Sequence, residues 1–153
     1  MEENNYRDTY RSINPLRCVF EKSINTRRCH CSLSERFNLA DREGVRCTVD
    51  LAQKRCTTLL ETLRSKAIFT MQLTRIDGAL PHNKEIKVQT GGLLGLQNLI
   101  DPAYDETLGI QDIHQLINQA IEIYKSTDEF PYNEIVRKVA KFEGRNKRVK
   151  TGK

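Results

Sequence analysis

The chain has 153 residues, a net charge of +5, 38% hydrophobic and 29% charged residues, and no tryptophan. That length and polarity suit one domain with a real core, and they exclude low-complexity, fibrous and membrane-spanning classes. Basic and acidic side chains number 11 and 8 over residues 1–56, 9 and 11 over 57–142, and 5 and 1 over 143–153, so the positive charge sits at the ends.

Met1-Glu2-Glu3-Asn4-Asn5 is acidic and polar, without the basic start and apolar stretch of a secretory signal, so the expected compartment is the cytoplasm. Residues 1–16 are polar, with Tyr6, Tyr10 and Ile13 as scattered anchors and a turn at Asn14-Pro15, and they read as an extended arm. The segment 17–56 holds all five cysteines of the chain. Within it, Ser32-Leu33-Ser34-Glu35 matches a capping box and predicts a short helix through Arg42, ended by Gly44.

From Asp50, Ala52, Cys56, Leu59, Leu60, Leu63 and Ala67 follow helical spacing. Phe69, Met71 and Leu73, then Ile86 and Val88, alternate with polar residues across a loop containing Asp77-Gly78 and Pro81, which predicts a small β-hairpin. Gly91-Gly92 then predicts a break before a short apolar helix, Leu93 to Ile100, stopped by Asp101-Pro102. The clearest helix runs from Ile110 to Lys125, and a last one begins at Pro131 and buries Ile135, Val136, Val139 and Phe142. The carboxyl-terminal residues 144–153 read as a basic flexible tail.

The expected fold is therefore mainly α: a single-domain helical bundle over 17–143, with a small β-hairpin and an irregular Cys-rich amino-terminal segment.

Function points to the cysteines. Four of the five follow an arginine (Arg17-Cys18, Arg28-Cys29, Arg46-Cys47, Arg55-Cys56), and Cys31 follows His30. A thiolate binds metal, and a nearby guanidinium favours the thiolate. Adjacency does not place the arginines on sulfur, since neighbours diverge in helices and strands alike; Arg17, Arg28, Arg46 and Arg55 are expected to frame the centre. In the reducing cytoplasm, five clustered thiols favour metal or redox chemistry over structural disulfides.

The spacing C-x10-C-x-C-x15-C-x8-C lacks the close C-x2-4-C pairs of structural zinc sites and the C-x-x-C of thiol–disulfide catalysts. Iron–sulfur clusters accept four thiolates from well-separated points, so a [4Fe–4S] cluster serving electron transfer or redox sensing is the leading expectation. Candidate ligands are Cys29, Cys47 and Cys56, then Cys18 and Cys31; one is spare, with Cys29 and Cys31 competing for a position. A redox partner protein is implied, and no membrane.

Two alternatives stand beside it. One is a zinc-stabilised module binding nucleic acid through the amino-terminal arginines and Arg145, Lys147, Arg148 and Lys150 of the tail. The other is a metal-free helical interaction protein whose cysteines are packing. Phosphate-binding, zincin and serine-hydrolase motifs are missing, so a non-enzymatic role is expected; His82 and His114 have no partner visible in the sequence.

Overall fold

A computed structural model describes residues 2–68 and 80–143. The chain is mostly helical, with one antiparallel hairpin. Its elements are α1 (Glu3–Ile13), α2 (Glu21–Asn25), β1 (Ser34–Leu39), β2 (Arg42–Cys47), α3 (Asp50–Ala67), α4 (His82–Ile100), α5 (Ile113–Tyr124) and α6 (Tyr132–Lys141), with short 3-10 turns at Glu106–Leu108 and Thr127–Glu129.

α4 is the central element, packed chiefly on α6 and also on α2, α3 and α5. Its burial continues nearly without interruption from Glu85 to Leu96, as expected of a helix enclosed by neighbours rather than lying on a surface. Leu59, Leu60 and Leu63 of α3, Leu93 and Leu96 of α4, Ile113, Leu116 and Ile117 of α5 and Ile135 and Val139 of α6 close the core around it.

Five sequence expectations change. The arm over residues 1–16 is largely helix: Glu3, Tyr6, Arg7, Tyr10 and Arg11 fall at helical spacing, Arg7 pairs with Glu3, and the Tyr10 hydroxyl bonds the buried Glu21 carboxylate. The helix expected over 32–42 is instead the hairpin β1–β2, with Phe37 opposite Gly44. A Cβ on Gly44 would lie 2.2 Å from the Phe37 ring, so this glycine makes room for a cross-strand aromatic and ends no helix. The Cys-rich segment is accordingly ordered for much of its length, containing α2, the hairpin and the start of α3.

The hairpin expected further on does not form as such. Its second arm, Ile86 and Val88, belongs to α4; its first arm, 69–73, lies outside the described residues, as does the tail 144–153. Gly91-Gly92 does not break α4 either. A Cβ on Gly91 would meet the Val139 backbone at 2.9 Å, and one on Gly95 the Ile135 carbonyl at 2.8 Å. These glycines let α4 and α6 approach closely, and the cost of glycine within a helix is offset by that contact. Gly95→Ala should therefore destabilise the fold by about 1–3 kcal/mol through overpacking, read as a lower urea midpoint; a stabilised variant would contradict this packing.

A chain of buried polar groups ties α2, α3 and α4 together. Arg64 donates to both Glu85 carboxylate oxygens (2.9 and 3.0 Å), the Gln89 amide to Glu85 (2.6 Å), the Ser23 N–H and hydroxyl to Gln89 Oε1 (both 3.2 Å), and the Ser23 and Thr90 hydroxyls meet at 2.8 Å. Burial would raise the Glu85 pKa, but the bonds from Arg64, Gln89 and the Leu80 N–H outweigh it and hold the carboxyl below its ordinary value of 4.5.

Candidate metal centre

Four thiols reach one cavity from four separate pieces of chain. Residues 16–18 run antiparallel to the end of β2: Arg17 pairs with Arg46, the Cys18 N–H donates to the Val45 carbonyl (3.1 Å), and the Cys47 N–H donates to the Leu16 carbonyl (2.8 Å). Neighbours in extended chain point to opposite faces. Cys18 and Cys47 thus turn to the cavity, while Arg17 and Arg46 lie over the rings of Tyr10 and Phe37 at 5.1 and 4.6 Å.

Cys31 is delivered by a second extended run. Residues 28–30 pair with the chain before α5, through the Ile110 N–H to the Arg28 carbonyl (2.8 Å), the His30 N–H to the Ile110 carbonyl (2.9 Å) and the Ile113 N–H to the His30 carbonyl (2.8 Å). Cys56 comes from the second turn of α3. Val19, Phe20, Leu33, Ala52 and Ile113 supply apolar wall, with Ser34, Gln53 and His114 as the polar remainder. No carboxylate, lysine or arginine lines it. The cavity between the lining side chains is small, about 20 Å³, room for a single water.

Every pair among Cys18, Cys31, Cys47 and Cys56 interacts electrostatically. Burial pushes the Cys18 thiol up to about 12, with the nearby Phe20 backbone N–H opposing the rise and the other three thiols adding to it. Burial likewise raises Cys56 to about 12, with Cys31 and Cys47 adding and the Arg55 charge opposing. Cys31 is also raised by burial, with the nearby Leu33 and His114 backbone N–H groups opposing the rise. Without metal these three thiols are protonated at neutral pH, so metal uptake releases their protons.

Cys29 lies apart. It is fully buried in the core, with its sulfur beside Thr90 and the Ile110 backbone, at the end of the polar chain described above. Burial raises its thiol to about 12.

The arginines divide similarly. Arg17 grips Glu21 (2.8 Å), Arg28 lies over the Phe142 ring (5.1 Å), and Arg46 stacks on Phe37. Only Arg55 acts on a thiol of the centre; it also donates to Asn118 (2.8 Å) and contacts His114 Nδ1 (3.2 Å), while its Nε is buried without a hydrogen-bond partner among the described residues. His114, isolated in the sequence, is thereby fixed at the cavity wall. The signal for its position was Asp112, whose carboxylate caps α5 by accepting from the His114 and Ser32 N–H groups at 3.1 and 3.0 Å.

As the thiols stand, no group of three or more His, Cys, Asp or Glu side chains among the described residues is set to hold a metal ion. A tetrahedral zinc with Zn–S near 2.3 Å would draw four sulfurs to within about 3.8 Å of one another. The four thiols share one pocket, and they would have to move together to hold an ion. Among the described residues, no helix is long and apolar enough to cross a membrane. No protein family matches the chain, and neither a curated protein nor a solved structure was found to be similar to it.

Proposed function

We propose that Cys18, Cys31, Cys47 and Cys56 hold an iron–sulfur cluster of the [4Fe–4S] type, and that the protein transfers single electrons or senses redox state in the cytoplasm, with another protein as its redox partner. The observation that carries this reading is the convergence of four thiols, from four separate segments, on an apolar cavity with no carboxylate in its wall. Soft thiolate donors select zinc, copper(I) or iron–sulfur clusters. The ligands come from well-separated points of the sequence without the close pairs of a structural zinc site, which favours a cluster whose own breadth spaces its ligands; the small cavity must widen to take it.

The surroundings suit an anionic cluster: backbone N–H groups of Phe20 and Leu33 favour the Cys18 and Cys31 thiolates, and the Arg55 charge favours that of Cys56. Such donors raise a cluster's potential by stabilising its reduced, more negative state. When bound, the cluster supplies the one-electron couple; the chain supplies the thiolates, the N–H donors and the apolar wall that limits water. Val49 and Leu51, beside Cys47 and at the start of α3, are 40% and 76% exposed and offer an apolar contact close to the centre for a partner.

The test is anaerobic reconstitution with ferrous iron and sulfide. The expected product is brown, with a broad band near about 400 nm that bleaches with dithionite and returns on reoxidation. A colourless product that takes up one zinc ion per chain would replace the cluster with a structural zinc site.

A further inference from the structure

We propose that the cleft between α1, α2 and the hairpin binds single-stranded nucleic acid through its phosphates. The inference is independent of the metal centre, which opens elsewhere on the surface. Glu3, Tyr6, Arg7, Tyr10 and Arg11 form one face of α1, at spacings of three and four, and all line this cleft of about 660 Å³. Arg17, Lys22 and Arg42 approach from the opposite side.

The cleft's three carboxylates are already engaged. Glu3 pairs with Arg42 (2.8 Å) and Arg7 (3.6 Å), and Glu21 pairs with Arg17 (2.8 Å) while accepting from the Tyr10 hydroxyl and the Val45 N–H. Glu43 is satisfied from outside the cleft, by Arg27 (2.8 Å) and Arg36 (3.6 Å). Arg11 and Lys22 carry no ion pair among the described residues, and with His82 they leave the lining with uncompensated donors. Arg42 stacks on Tyr6 at 4.3 Å and Arg17 on the buried Tyr10 at 5.1 Å, so the rings hold these guanidinium groups in place along the cleft.

A positively charged groove that tracks the backbone is what holds a single strand without regard to sequence. The charges are strung along the cleft: Arg7 and Arg11, one turn apart, are separated by about 6 Å along the helix, which suits successive phosphates better than one.

The test is fluorescence anisotropy with a labelled 12-nucleotide oligo(U), titrated with the full chain at 50 and 200 mM salt. Binding should weaken with salt, because phosphate contacts release counterions. The double variant Arg11→Ala/Lys22→Ala breaks no ion pair of the fold and should weaken binding by about tenfold with a shallower salt slope. A second variant, with Arg145, Lys147, Arg148 and Lys150 changed to Ala, should retain most of the affinity. Absence of binding at 50 mM salt, loss confined to the tail variant, or equal affinity for uridine monophosphate would each overturn the proposal, the last by replacing the strand with a small phosphate ligand.

Discussion

Serine at Cys18, Cys31, Cys47 or Cys56 is expected to strip iron from the reconstituted protein by at least about tenfold, whereas serine at Cys29 leaves the iron in place. The reason is placement: the first four thiols face one cavity, while the Cys29 sulfur lies beside Thr90 and Ile110 inside the core. Cys29→Ser should instead cost about 1–2 kcal/mol of stability, as expected for a changed buried group in a satisfied polar network. Counting iron per chain and measuring urea midpoints across the five variants separates the two classes. Loss of iron on Cys29→Ser, with the fold intact, would reverse the assignment of the spare cysteine.

Removing Arg64 should have the largest effect on folding. Arg64→Met leaves the Glu85 carboxylate buried without its only cationic partner among the described residues, a loss expected to cost about 3–5 kcal/mol. Removing both charges together, in Arg64→Met/Glu85→Met, should cost clearly less than the single variant, because no stranded charge remains. The same pair sets a pH dependence. The folded-state pKa of Glu85 is lowered below 4.5, so its contribution is present above that value and is lost as pH falls through the folded-state pKa. Glu85→Gln should therefore flatten the decline of the unfolding midpoint below about pH 4.5; an unchanged acid limb would exclude Glu85 as its source.

Much of the fold was legible where periodicity was strong. α3, α5 and α6 lie within a few residues of their expected positions because each presents a continuous apolar stripe to the core. The hairpin was hidden for a local reason. Its two-residue turn is Ala40-Asp41, and Ala40 takes φ +56, where a glycine or asparagine would have been the recognisable signal. The Ser32–Glu35 capping pattern therefore pointed to a helix that strand pairing overrode. α1 was missed because its stripe consists of charged and tyrosine side chains held by ion pairs and stacking rather than by aliphatic burial.

The cysteines were legible as a clustered segment, but which of them share a pocket was not. Clustering of five cysteines marked residues 18–56, yet spacing alone could not separate Cys29 from Cys31, only two positions apart. The distinction comes from the run 28–30, which pairs with Ile110 and turns Cys29 into the core before the chain bends at Cys31. The Arg-Cys repeat has a similar origin: at Arg17-Cys18 and Arg46-Cys47 it reflects strand alternation, with sulfur on one face and guanidinium stacked on aromatic rings on the other. That face is the one that borders the basic cleft.

The central claim is tested most directly by counting iron, acid-labile sulfide and zinc on one sample of anaerobically purified protein. A cluster held by Cys18, Cys31, Cys47 and Cys56 predicts iron and sulfide in equal amounts, about four of each per chain, with little zinc. One zinc per chain without sulfide, or folded protein without metal, would contradict it.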